Sequence, residues 1–160
     1  MANRNFPNWI NAYLEYTKFS ESPSKFHFWT AVSVLAGALR RRVWIDQKYF
    51  VWIPNFYIIF VAKPGIVSKS TTADIGMSLL REVPGIHFGP NSLTWQALIQ
   101  AMHQSVDTIE DPATGELFAS SAFSIVASEL GSLLDFSDRA MIDVFVDLWD
   151  GRKTWSKRTK

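Results

Sequence analysis

The sequence contains no cysteine, which excludes a disulfide framework and any thiolate metal site. It also lacks a long apolar run. The longest, from Tyr49 to Ala62, is broken by Pro54 and Asn55 and is too short to span a bilayer. The opening stretch MANRNFPNW has no apolar core of the kind a secretory signal needs. His27, His87 and His103 stand far apart with no ligand spacing, and nothing resembles a nucleophile elbow, so no His-metal site is assigned. These absences lead to the expectation of a cytoplasmic protein without membrane association.

What the chain does have is apolar and aromatic weight. Its 160 residues include seven Trp and twelve Phe, with 48% hydrophobic and 19% charged residues, which suits one domain, or one domain with a small appendage, with a real core and excludes a solvating tail. The net charge of +1 conceals blocks. Residues 1–70 carry nine Lys or Arg against three acids, residues 71–150 two against twelve, and residues 151–160 five against none. Such a distribution favours local anion contacts over coating of a polyanion.

Periodicity divides the chain. After Pro7, the residues Trp9, Ile10, Tyr13 and Tyr16 recur at helical spacing. The SESPS stretch reads as a turn and helix start. Phe26, Trp29, Val32, Leu35 and Leu39 then form one helical stripe ending at Arg40, Arg41 and Arg42, cations that suit a helix C-terminus. Val43–Asp46 and Tyr49–Trp52 read as a small hairpin. Three apolar runs are expected to be strands of a parallel sheet: FYIIFVA (56–62), Ile86–Phe88 and AFSIVA (122–127). Helices are expected from about residue 70 to Glu82, from Leu93 to His103 after a cap at Asn91 or Ser92, and from Arg139 to Trp149 before Gly151. Residues 107–120 read as a loop or hairpin bending at Asp111-Pro112 and Thr114-Gly115. This order predicts an α/β fold with crossover helices.

The segment KPGIVSKSTT carries the chemistry. A strand running into a loop with Pro64 and Gly65, and leaving as a helix that opens Lys69-Ser70-Thr71, points backbone N–H groups at one spot where the helix dipole attracts anions. Lys69 would add a full charge against the β- and γ-phosphates, and Ser70 a hydroxyl for Mg²⁺. Against the pattern G-x-x-x-x-G-K-[ST], Lys63 and Ser68 occupy the two glycine positions, and Gly65 alone supplies loop flexibility. About sixty residues on, SAFSIVASELG places Glu129 after an apolar run, suited to Mg²⁺ or the attacking water, with Ser128 where an Asp often sits.

The strings ESPSKFHFWTAVSVLAGALRRRVWID, YFVWIPNFYIIFVAKPGIVSKSTT, GPNSLTWQALIQAM and VASELGSLL together resemble a P-loop ATPase family of prophages and mobile elements. That family is RecA-like, with helicase-like or primase-associated members, and the resemblance runs from about Pro7 to Trp155. It implies an N-terminal helical segment (1–42) and a RecA-like P-loop NTPase core (43–160), a parallel sheet with flanking helices. Family members continue past the equivalent of Lys160, so a truncated fragment or a short relative is expected. The resemblance implies a nucleotide loop over Lys63–Thr71, comprising Pro64, Gly65, Ile66, Val67, Ser68, Lys69, Ser70 and Thr71. Lys69 and Ser70 would meet phosphate and metal, and Glu129 would be the Walker B carboxylate. ATP and Mg²⁺ are the implied cofactors, with single-stranded DNA and a homo-oligomeric ring as implied partners. The expected function is an ATP hydrolase of DNA replication, and the alternative is a nucleotide-binding or assembly module without appreciable turnover. The departures at Ser68 and Ser128 bear on hydrolysis more than on binding.

Two further features have simpler readings. Arg40–Arg42 suit a helix end better than a nucleic-acid contact, and Asp143, Asp147 and Asp150 form a solvated helix face opposite Ile142, Phe145, Val146 and Trp149. The tail RKTWSKRTK combines five cations with Trp155, a composition that suits single-stranded nucleic acid and an ordinary solvated or frayed terminus equally.

Overall fold

The computed structural model describes residues 7–90, 94–111 and 113–151. Among the described residues the elements follow in the order α1 (Trp9–Tyr16), α2 (Ser24–Leu39), β1 (Ile45–Asp46), β2 (Val51–Trp52), α3 (Lys69–Arg81), α4 (Trp95–Gln104), β3 (Val106–Glu110), β4 (Leu117–Ser121), α5 (Leu130–Leu133) and α6 (Arg139–Trp149). The chain separates into two compact units. The first joins the described residues up to Ala38 with Tyr57–Ile86, and the second joins Leu39–Phe56 with the described residues from His87 onward.

Helix starts follow local chemistry. Asn8 caps α1 by accepting the Asn11 N–H, Thr94 caps α4 through Ala97, and Asp138 caps α6 through Met141. The Asn8 and Thr94 side chains satisfy donors that the first helical turn leaves without a carbonyl, whereas the Met141 N–H is shared between the side chain and the carbonyl of Asp138. The expected cap of α4 at Asn91 or Ser92 lies outside the described residues. At its end, α2 is closed by Arg40 in the left-handed region (φ 54), and α6 is followed by Gly151 at φ 59.

In the first unit, Tyr13, Ala31, Val34, Met77 and Leu80 form the buried core. Gly76 of α3 lies against α2 and α1. A Cβ there would overlap Thr30 Cγ2, sit 3.0 Å from Val34 Cγ2 and lie 3.5 Å from the Tyr13 hydroxyl. Phe26 of α2 stacks on Phe60 with ring centroids 4.6 Å apart. In the second unit, Leu98 of α4 packs with Met141 and Val144 of α6, joined by Trp95, Met102, Phe123 and Leu148. The β3–β4 hairpin pairs Val106 with Ser121 through to Glu110 with Leu117.

Among the described residues the expected parallel sheet is absent, and this overturns the RecA-like core. The described residues form only two short two-stranded sheets, β1–β2 and β3–β4, both antiparallel. FYIIFVA (56–62) is not a strand, and Ile59 and Val61 are well exposed. Of the other two expected strands, Ile86–Phe88 and AFSIVA meet through one parallel bridge, Phe88 with Ser124, held by Gly89 N–H to Ser124 O and Ser124 N–H to His87 O. The physical reason is that a continuous apolar run fits several environments. It becomes a central parallel strand only when neighbours pair on both edges and helices cover both faces, and local pattern specifies none of those partners.

Candidate functional site

The loop between Ala62 and α3 belongs to the first unit. Its turn runs from Lys63, whose carbonyl accepts the Ile66 N–H, through Gly65 at φ 73. A side chain would be strained in that left-handed conformation, so the one glycine of the loop sits where the backbone needs it. Ser68 holds φ −83, an ordinary value, so the serine at the motif's second glycine position is not strained. Its hydroxyl does not cap α3 but reaches Glu21 Oε2 at 3.5 Å.

Lys69 is the first residue of α3, and its Nζ donates back to the Ala62 carbonyl at 3.2 Å, across the mouth of the loop. Its own N–H is taken by Val67 O at 3.0 Å. The next two amides, of Ser70 and Thr71, have no acceptor among the described residues, and both side chains are exposed. These are first-turn donors that a helix cannot satisfy internally. Two open N–H groups at the positive end of a thirteen-residue helix, with an ammonium on the same loop, form an arrangement suited to an anion.

The Ser68 carbonyl is held from three directions. It accepts the Thr72 N–H at 3.0 Å, the Thr72 hydroxyl at 3.0 Å and the Ser22 hydroxyl at 3.1 Å. Ser22 and Glu21 were not among the sequence candidates. Their stretch reads only as a turn before α2, and a contact 46 residues away in the chain leaves no periodic signature.

Glu129 belongs to the second unit. It precedes α5, a helix of four residues, in extended conformation (φ −136, ψ 133), and its exposed carboxylate makes no capping bond. Its carbonyl accepts from the Ser132 hydroxyl at 2.7 Å. Ser128 is likewise exposed. The acid that touches the loop within the loop's own unit is therefore Glu21.

The arginine cluster is largely internal. Arg40 pairs with Asp107 of β3, and Arg41 donates to the Gly151 carbonyl at 2.9 Å. Burial lowers the Arg41 pKa from its ordinary value. Asn55 donates to the Leu148 and Trp149 carbonyls at 2.9 and 3.0 Å, which satisfies the C-terminus of α6. Asp143, Asp147 and Asp150 are exposed, as a solvated face requires. The basic segment with Trp155 lies outside the described residues.

Among the described residues there is no group of three or more His, Asp or Glu placed to hold a metal, and no helix long and apolar enough to cross a membrane. No protein-family model matches the chain, and no curated protein or solved structure matches it.

Proposed function

We propose that this chain is a nucleotide-binding module that takes Mg-ATP by its phosphates at residues 63–71. The observation that carries the reading is the pair of amides at Ser70 and Thr71 without an acceptor among the described residues, at the start of the helix that Lys69 opens. Phosphate oxygens would accept from those amides, and Lys69 would exchange its bond to Ala62 for one to phosphate. Ser70 offers one hydroxyl to Mg²⁺, an ion that keeps several waters and draws its other ligands from phosphate. That modest demand fits a donor set with few carboxylates.

Between hydrolysis and binding without appreciable turnover, the second has more behind it. Hydrolysis needs a carboxylate that orients water at the γ-phosphate, and Glu129 is an exposed residue ahead of a single short turn. A role in DNA replication, single-stranded DNA and a ring of subunits rest on the resemblance alone and are no part of the binding claim.

Calorimetric titration with ATP, ADP and adenosine at constant Mg²⁺ tests it. ATP and ADP should bind and adenosine should not, because recognition is through phosphate. Lys69→Ala should weaken ATP at least about tenfold, since a charge-assisted hydrogen bond contributes about 1.5–3 kcal/mol and about 1.4 kcal/mol is a factor of ten. Adenosine binding as tightly as ATP would contradict the reading. Steady-state phosphate release that Glu129→Gln abolishes would restore the hydrolase in place of the passive module.

A further inference from the structure

The turn between α1 and α2 is built as a fastening for the loop. Ser20 N–H bonds to Thr17 O at 2.9 Å, and the Ser22 N–H donates to Ser20 Oγ at 3.3 Å. Pro23 then fixes the backbone, and its carbonyl accepts the Phe26 N–H at 2.8 Å as α2 begins. A buried Ser22 side chain projects from this stiff turn, and its hydroxyl donates to the Ser68 carbonyl. Thr72, which is fully buried, donates to the same oxygen from inside α3.

The Ser68 carbonyl accepts the first intrahelical bond of α3, so its direction bears on how the helix starts. With that carbonyl held by Ser22 and Thr72, the Lys69 N–H of the same peptide is bonded to Val67 O, and the next two amides, of Ser70 and Thr71, have no acceptor among the described residues. A flipped peptide would instead present a carbonyl dipole to the anion, which repels it. Resting on the phosphate-loop reading, we propose that Ser22 is a positioning residue for nucleotide binding. It holds the loop backbone in its anion-accepting orientation without touching the ligand.

The test uses the intact chain, Ser22→Ala, Thr72→Ser and Lys69→Ala, with two readouts. Amide hydrogen exchange at Thr72 reports the fastening directly, because that N–H is bonded to the Ser68 carbonyl. Calorimetry with Mg-ATP reports its consequence. Ser22→Ala should speed exchange at Thr72 and weaken Mg-ATP by about two- to tenfold, the range of one net hydrogen bond. Its unliganded melting temperature should stay close to the parent's. Thr72→Ser retains the hydroxyl and should keep the parent's affinity. Unchanged exchange at Thr72 in Ser22→Ala overturns the fastening, and faster exchange with unchanged affinity overturns the positioning role. An intact chain that binds no Mg-ATP, and so cannot be told from Lys69→Ala, sinks the phosphate-loop reading and the positioning role with it. The exchange result still reports the fastening in that case.

Discussion

Tyr13, His27 and Thr30 bring polar atoms into the core of the first unit, where all three residues are almost fully buried. The Tyr13 hydroxyl, both His27 ring nitrogens and the Thr30 hydroxyl have no partner among the described residues. Burial, with a smaller contribution from nearby Tyr16, pushes the Tyr13 phenol up to about 12. Burial lowers the His27 pKa from 6.5. The sign of the pH effect follows. The folded chain takes up the His27 proton less readily than the unfolded chain, so the stability linked to His27 is present above pH 6.5 and declines as pH falls below it. Denaturant midpoints measured from pH 7.5 down to 5 should therefore decline, and His27→Gln should flatten that decline. Tyr13→Phe removes an unsatisfied hydroxyl while keeping the ring, and should raise stability by about 1 kcal/mol in chemical denaturation. A loss of similar size would show that the hydroxyl is bonded in solution.

Helices and strands differed in how much of them the sequence held. α1, α2, α3, α4 and α6 carry their own instructions in apolar spacing, in caps such as Asn8, Thr94 and Asp138, and in stops such as Gly151. The expected opening of α3 at Lys69-Ser70-Thr71 agrees with the observed start at Lys69. The β1–β2 and β3–β4 hairpins were also readable, because a hairpin is a local structure. FYIIFVA does not form the expected strand, because a buried parallel strand needs neighbours distant in sequence that local pattern does not specify. The same limit hid Ser22 and Glu21 from the candidate site, whereas Lys69 and Ser70 were visible in the motif itself. At this scale α3 offers a further test. Gly76→Ala would place a methyl group into Thr30 of α2, and overpacking of this kind costs about 1–3 kcal/mol. Gly131→Ala, whose Cβ would meet open space, serves as the control and should change stability little.

Across the whole molecule, charge segregation proves to be structural as well as superficial. A basic front and an acidic middle meet inside the second unit, where Arg40 pairs with Asp107 and His87 Nε2 lies 3.9 Å from the same carboxylate. Arg40 also adopts a left-handed backbone, so its two replacements separate the two contributions. Arg40→Ala loses the ion pair and keeps the strain, whereas Arg40→Gly loses the pair and relieves it. Urea unfolding should place Arg40→Gly about 1 kcal/mol above Arg40→Ala and both below the parent. Equal stabilities for the two variants would remove backbone strain at α2's end from the account.

The most direct test of the proposed phosphate loop is a thermal-shift titration with Mg-ATP on the intact chain and on Lys69→Ala. A ligand that binds only the folded state adds about 2.7 kcal/mol of stability at a hundred times its Kd. The intact chain should melt at progressively higher temperature as Mg-ATP rises, and Lys69→Ala should need at least about tenfold more Mg-ATP for the same rise. Identical curves for the two proteins, whether both rise or both stay flat to millimolar ATP, would contradict phosphate recognition by this loop.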